Sequence, residues 1–342
     1  MSMKKIGRHT LIFTKPASVV SYASVAGKKE GEGPLGKEFD VVNTDTTFGC
    51  DSWEQAESAM QTQAVEKALE KINLNTSDVD NIFAGDLLNQ SIGSVYGVKG
   101  FEMPFVGLYG ACSTMALSLA IASVFVSAGA SKRAAAVTSS HFCSAERQFR
   151  FPLEYSGQRP AGAQWTATAA GAVVLETGDG GPFVKAVTLG KICDYGITDS
   201  SNMGAAMAPA AADTLMHFLE DTKTNPCDYD IILTGDLSQI GTELMNKLCE
   251  ENGYDIFDKH ADCGLMIYDI RKQDVNAGGS GCGCSGGVLC SRILNKMKKG
   301  ELNEVLFIGT GALMSPTSVG QGKSISAVAH LVHLSNSGEE TL

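Results

Sequence analysis

The chain has 342 residues, room for about two domains at roughly 100 to 200 residues each, and 44% hydrophobic residues suffice for a substantial core. A disordered or fibrous chain is excluded. With 27 Lys plus Arg against 38 Asp plus Glu the formal net charge is -11, so the general field repels nucleic acid and anionic lipid, and any anionic ligand needs a local basic patch.

The apolar spacing of Ala56, Met60, Ala64, Val65, Ala68, Leu69 and Ile72 predicts an amphipathic helix over 53–74. A buried strand follows at 80–86 and ends in Gly85-Asp86; a second, 103–109, runs into Gly110-Ala-Cys-Ser-Thr114. The apolar run 115–130 is near sixteen residues, short of the roughly twenty that span a bilayer, and reads as a buried helix. Strands are predicted at 133–139 and 171–176, before the linker Gly178-Asp-Gly-Gly-Pro182. The second half predicts strand 183–190, helix 207–219, strand 230–235, helix 241–251, a Gly-Ser-Cys turn, helix 285–298, and strands 304–309 and 324–334. The ten cysteines have no Cys-x-x-Cys pairing, and no apolar signal core follows Met-Ser-Met-Lys-Lys, so free thiols in a reducing compartment are expected, with no metal and no cofactor.

The halves answer each other. Ala84-Gly-Asp-Leu87 matches Thr234-Gly-Asp-Leu237, Gly110-Ala-Cys-Ser113 matches Cys282-Gly-Cys-Ser285, and strand 133–139 matches 304–310, in the same order. This is a duplicated β-α-β-α-β unit, giving an α/β fold of two halves, 1–180 and 181–342, related by a pseudo-two-fold axis. Cys112 opens the first buried helix behind a small-residue turn, where backbone N–H groups and the helix dipole favour a thiolate. The glycines 278–287 form the matching turn of the second half.

A cysteine in this position in a duplicated chain resembles the five-layered (α-β-α-β-α) thiolase and ketoacyl-synthase superfamily. Gly31-Glu-Gly-Pro-Leu-Gly36, Ala84-Gly-Asp-Leu-Leu-Asn-Gln90, Gly110-Ala-Cys-Ser-Thr114, Ala145-Glu-Arg-Gln-Phe-Arg150, Ala206-Met-Ala-Pro-Ala-Ala-Ala-Asp213, Asp262-Cys-Gly-Leu-Met-Ile-Tyr268 and Ala277-Gly-Gly-Ser-Gly-Cys-Gly-Cys-Ser285 together resemble the stage V sporulation protein AD family. The resemblance implies a protein that binds dipicolinic acid (pyridine-2,6-dicarboxylate), as such or as its calcium chelate, for uptake into the developing spore. It further implies a peripheral place at the inner spore membrane, membrane-embedded stage V sporulation partners, and a homodimer formed through strand 133–139.

Condensing enzymes pair the nucleophilic cysteine with two further groups, usually His with His or Asn, from second-half loops. Here those loops read Gly235-Asp-Leu-Ser-Gln239 and Ala277-Gly-Gly-Ser-Gly281, without histidine. The expectation is a catalytically reduced site; the alternative is an acyltransferase or condensing enzyme using Cys112. Of the histidines, His141 and His260 are placed to reach the Cys112 pocket, His141 the better. The loop after strand 133–139 carries Arg147, Arg150 and Arg159, suited to pairing with a planar dianion. The candidate ligand residues are Cys112, His141, Arg147, Arg150, Arg159, Gly281 and Cys282. The Gly-Asp turns at Asp86 and Asp236 are expected to orient loops.

Overall fold

A computed structural model describes residues 2–149 and 159–339. The first half runs β1 (Met3–Ile6), β2 (Thr10–Ala26), α1 (Lys28–Gly31), β3 (Val41–Val42), α2 (Trp53–Glu70), β4 (Asn81–Gly85) and α3 (Ile92–Val98). It continues through β5 (Phe105–Gly107), α4 (Thr114–Ser127), β6 (Arg133–Ser140), α5 (Phe142–Phe149), β7 (Trp165–Thr166) and β8 (Ala169–Glu176). The second half follows with β9 (Phe183–Leu189), α6 (Met203–Thr222), β10 (Ile231–Thr234), α7 (Ser238–Glu251), β11 (His260–Asp262), α8 (Cys263–Met266) and β12 (Gly279–Ser280). It ends with α9 (Cys282–Val288), a π turn at Leu289–Ile293, α10 (Leu294–Lys298), β13 (Glu304–Leu313), α11 (Pro316–Gly320) and β14 (Ser326–Ser335).

The main sheet has the order β11-β10-β13-β14-β9-β2-β8-β6-β4-β5. Cut at the antiparallel β2–β9 pair, it gives two five-stranded halves with the same plan. In each, three parallel strands (β5-β4-β6 and β11-β10-β13) are followed by two antiparallel ones (β8-β2 and β14-β9). The duplication read from three short matches is therefore a duplication of topology.

Apolar patterning sets the layers. Helix α4 is apolar nearly all round and must be covered on every side; it packs on β4, β6 and β8 of one half and on β13 and β14 of the other. With α9 it makes the middle layer, where Phe83, Met115, Leu119, Val173, Phe307 and Leu334 form the central core. Helix α2 covers the outer face of the first half-sheet, and α6 with α7 covers the second, each with its own core. The result is five layers, α-β-α-β-α.

One long strand was not read from the sequence, and two expectations change. Strand β2, seventeen residues long and mostly buried, joins the half-sheets, although its apolar run lacks the alternation by which a half-buried strand is recognised. The segment after β6, expected as a loop, begins as helix α5, with Ser144, Ala145 and Glu146 buried. And β6 is no dimer seam: it is hydrogen-bonded to β4 on one side and β8 on the other, so it has no free edge, whereas β5 and β11 end the sheet.

Candidate functional site

The turn before α4 is tightly folded. Ser113 Oγ donates to the Gly110 carbonyl at 2.6 Å, Thr114 Oγ1 accepts from Gly110 N at 3.1 Å and donates to the Ala111 carbonyl at 2.5 Å. Ala111, at φ 51, lies in the left-handed region that a β-carbon disfavours, so this closure holds strain beside the cysteine. Strand β13 approaches closely: a β-carbon on Gly311 would stand 2.2 Å from the Gly110 carbonyl oxygen, so only glycine lets the turn sit there.

Cys112 is buried, 6% exposed, and its Sγ lies 3.9 Å from Ser280 Oγ. Behind Ser280 stands Asp236, fully buried. Its carboxylate accepts from Ser280 Oγ at 3.1 Å, Gly281 N at 2.8 Å and Thr310 Oγ1 at 2.6 Å. Asp236 and Ser280 thus occupy the two second-half loops in which the condensing enzymes' imidazoles were sought. The expected thiolate is corrected: burial, then the negative charge of Asp236, push the Cys112 thiol well above its ordinary value. Desolvation and a like charge outweigh the helix terminus. Over the thiol is a slot of about 30 Å³ lined by Leu87, Tyr109, Met203, Ala312 and Met314, enough for about one water molecule and far below the ~300 Å³ of a small-molecule site.

The pseudo-two-fold relation repeats this arrangement with the halves exchanged. Cys282 opens α9 as Cys112 precedes α4, and its Sγ donates to the Ser139 carbonyl at 3.0 Å. Asp86, the counterpart of Asp236, accepts from Leu88 N at 2.8 Å, and from Ser94 N at 2.7 Å and Ser94 Oγ at 2.6 Å. Nearby, Glu57 accepts from Ser144 Oγ at 2.5 Å and Ser139 Oγ at 3.3 Å; burial, then Asp86, push its carboxyl up to about 8. Both Gly-Asp turns do hold loops in place.

His141 does not line the Cys112 slot. Its Nε2 donates to the Thr46 carbonyl at 2.8 Å while Nδ1 accepts from Cys143 N at 3.2 Å, which makes the ring neutral, and burial lowers its pKa. It walls a different cleft, of about 590 Å³, with Lys28, Lys29, Phe142, Trp165 and Lys272. Arg159 reaches the same place, its guanidinium carbon 4.3 Å from the Trp165 ring centroid. Arg147 instead pairs with Glu54 on α2 and lies 5.7 Å from the Trp53 ring centroid. Arg150 lies outside the described residues. His260 is tied to Thr234 Oγ1 at 2.9 Å and Asn246 Oδ1 at 2.6 Å, away from the slot lining. The sequence reading therefore scattered: Cys112, Gly281 and Cys282 come together, His141 and Arg159 gather elsewhere, and the partners Ser280, Lys29 and Trp165 were missed. The adjacent Lys28-Lys29 at the head of a glycine-rich turn, in an acidic chain, was the signal for the last group.

Comparison with known proteins agrees with this geometry. Residues 7–335 match the family described as stage V sporulation protein AD (SpoVAD). The stage V sporulation protein AD of Bacillus subtilis (strain 168) is 45% identical over 336 residues, 98% of this chain and 99% of the relative. Among solved structures, the chain is similar to 3-oxoacyl-[acyl-carrier-protein] synthase III from Aquifex aeolicus VF5, with a TM-score of 0.57, 15% identity and coverage of 93% and 99% of the two chains. It is also similar to the C143S form of Xanthomonas campestris OleA, with a TM-score of 0.56, 13% identity and coverage of 94% and 100%. The structural likenesses establish the thiolase-like fold, and the sequence matches establish the lineage: the chain belongs to the stage V sporulation protein AD family.

Proposed function

We propose that this sporulation protein binds dipicolinate for its uptake into the developing spore, and that its thiolase-like site no longer condenses acyl groups. The observation that carries the second part is the Asp236 carboxylate beside the Cys112 thiol. A condensing nucleophile needs a base that takes its proton and donors that hold an oxyanion. A buried carboxylate whose charge keeps the thiol protonated opposes the first need, and its negative charge opposes the second. Binding rather than turnover is what such a chain retains, with His141 and Arg159, which the fold brings to one cleft, as candidate ligand residues.

No helix among the described residues is long and apolar enough to cross a membrane, so association with the inner spore membrane would run through membrane-embedded sporulation partners. A homodimer along the free edge of β5 completes the reading. The experiment is paired: intact-mass measurement after exposure to acyl-CoA, and calorimetry with dipicolinate. No adduct on Cys112 together with saturable dipicolinate binding is expected. Stoichiometric acylation of Cys112 would instead establish the enzyme.

A further inference from the structure

At the far end of the inner helix from Cys112 lies a second concentration of charge. Helix α9, the π turn and α10 run almost without a break from Cys282 to Lys299, roughly 25 Å at 1.5 Å per residue, so this end stands well away from the site described above. Here a cleft of about 610 Å³ opens between the helix and the segment 32–40 that follows α1. Ser291, Arg292, Asn295, Lys296 and Lys299 line it from the helix, and Lys37 from the other side. Ser291 and Arg292 belong to the π turn, a register change that recurs at functional sites.

The cleft is cationic in a chain of net charge -11. Its carboxylates are Glu38 and Glu301. Glu38 accepts from Arg292 Nε at 3.0 Å and from Nη2, which fixes the guanidinium and leaves its other N–H groups to donate. That hydrogen bond, together with the charges of Arg292, Lys296 and Lys299, holds the Glu38 carboxyl below its ordinary value, so three cations converge on one carboxylate. Lys296 lies 3.9 Å from Glu301 with both side chains about half exposed, a contact loose enough to exchange. Among the described residues Lys37 and Lys299 have no acidic partner. Cations in a last helical turn also offset the helix dipole, which accounts for Lys296 and Lys298. It does not account for Arg292, which precedes that turn, or for Lys37 on a separate segment.

The floor of the cleft points to a ligand independently. Ser291 is fully buried, and its hydroxyl has no hydrogen-bond partner among the described residues. Such a hydroxyl is costly to leave unmet, and an oxyanion above it would accept its proton. Asn295 is locked beside it, donating to the Ser291 carbonyl at 2.6 Å and accepting from the Tyr22 hydroxyl at 2.9 Å. No apolar residue lines the cleft, which disfavours an aromatic or aliphatic ligand. Donors converging from a guanidinium, a hydroxyl and several ammonium groups suit a compact anion with oxygens in several directions.

We propose that this cleft binds a phosphate group, its oxygens shared among the Arg292 guanidinium, the Ser291 hydroxyl and the ammonium groups of Lys37 and Lys299. A soluble phosphate compound and a phosphomonoester lipid headgroup offer the same chemistry. Calorimetry of the full chain with inorganic pyrophosphate, and sedimentation with phosphatidylcholine vesicles containing phosphatidic acid, separate the two sources at low ionic strength. The variants are Lys37→Gln with Lys299→Gln, and Ser291→Ala, which removes a hydroxyl without a partner and should not lower the melting temperature. Lys247→Gln with Lys323→Gln, exposed lysines on α7 and after α11, makes the same charge change elsewhere.

The expected result is saturable binding of at least one probe, weakened about tenfold or more by the Lys37 and Lys299 pair, about threefold or more by Ser291→Ala, and unchanged in the Lys247 and Lys323 pair. Pyrophosphate binding with this pattern assigns a soluble phosphate compound; vesicle binding with this pattern and no pyrophosphate binding assigns a lipid headgroup, and either sustains the cleft. Binding that falls equally in the Lys247 and Lys323 pair, or that Ser291→Ala leaves unchanged, overturns the cleft in favour of diffuse attraction to surface lysines. Binding of neither probe also overturns it.

Discussion

At the scale of single residues, the dominant feature is carboxylate buried beside functional-looking thiols. Asp236 accepts three hydrogen bonds and still raises the Cys112 thiol, so the two groups share a site with one negative charge between them. Asp236→Asn removes the charge while its amide oxygen can still accept from Gly281 N. We expect Cys112 to alkylate with iodoacetamide about tenfold faster or more in that variant at pH 8, read by mass spectrometry of the peptide containing it; an unchanged rate would show that the slot, not the charge, protects the thiol. Glu57 makes a separate prediction about stability. Its carboxyl is raised from 4.5 unfolded to about 8 folded, so the folded state holds the extra proton and stability falls as pH rises from about 4.5 to about 8. Asp262, raised from 3.8 to about 7 by burial, adds to the same trend from lower pH. Glu57→Gln should flatten the decline in melting temperature across pH 5 to 8 and keep the Ser144 contact through its amide oxygen. An equal decline in both proteins would assign it to other groups.

Between elements, packing is set by glycines facing backbone. A β-carbon on Gly171 of β8 would come within 2.2 Å of the Gly286 carbonyl oxygen on α9, where the first half-sheet meets the inner helix. Backbone cannot step aside as a flexible side chain can, so Gly171→Ala should cost about 1–3 kcal/mol or more in urea unfolding, in line with overpacked cores. Gly180→Ala, with nothing within 4 Å, should be close to neutral. The same distinction explains what the sequence revealed. The Gly-Asp turns, the apolar helix after Cys112 and the strands 133–139 and 304–310 carry local patterns that name their elements and expose the repeat. Strand β2 has no such pattern, because it is covered on both faces and its partners β8 and β9 are over a hundred residues away. The candidate site divides similarly. Cys112 and Gly281 were legible from their turns, whereas the meeting of Lys29, Trp165 and Lys272 depends on three segments that only the tertiary fold assembles. Arg147 was read as a ligand residue from its place in a basic stretch; on α5 it faces Glu54 of α2 instead.

For the whole molecule the open question is the sheet's edge. Among the described residues strand β5 pairs with β4 alone, so its other side offers N–H and C=O groups for pairing, a surface that proteins cover or pair. Around it the apolar side chains are unusually exposed: Phe105 and Val95 at 38%, Tyr96 at 56% and Tyr109 at 52%. Helix α3, which carries Val95 and Tyr96, packs on β5, so strand and side chains form one surface. A two-fold axis beside β5 would join the sheets of two copies by antiparallel pairing and bury each exposed residue against its own symmetry-related region. The opposite edge, β11, carries His260 and Asp262 already engaged with Thr234. In an isologous contact one substitution acts twice, so Tyr96→Glu with Phe105→Glu places four carboxylates at the seam while altering only exposed positions. Light scattering should give a dimer for the parent chain and a monomer for the double variant, and the parent's melting temperature should rise with protein concentration as the variant's does not. A parent chain that is monomeric at tens of micromolar, with a melting temperature independent of concentration, would leave the β5 edge free for a different protein.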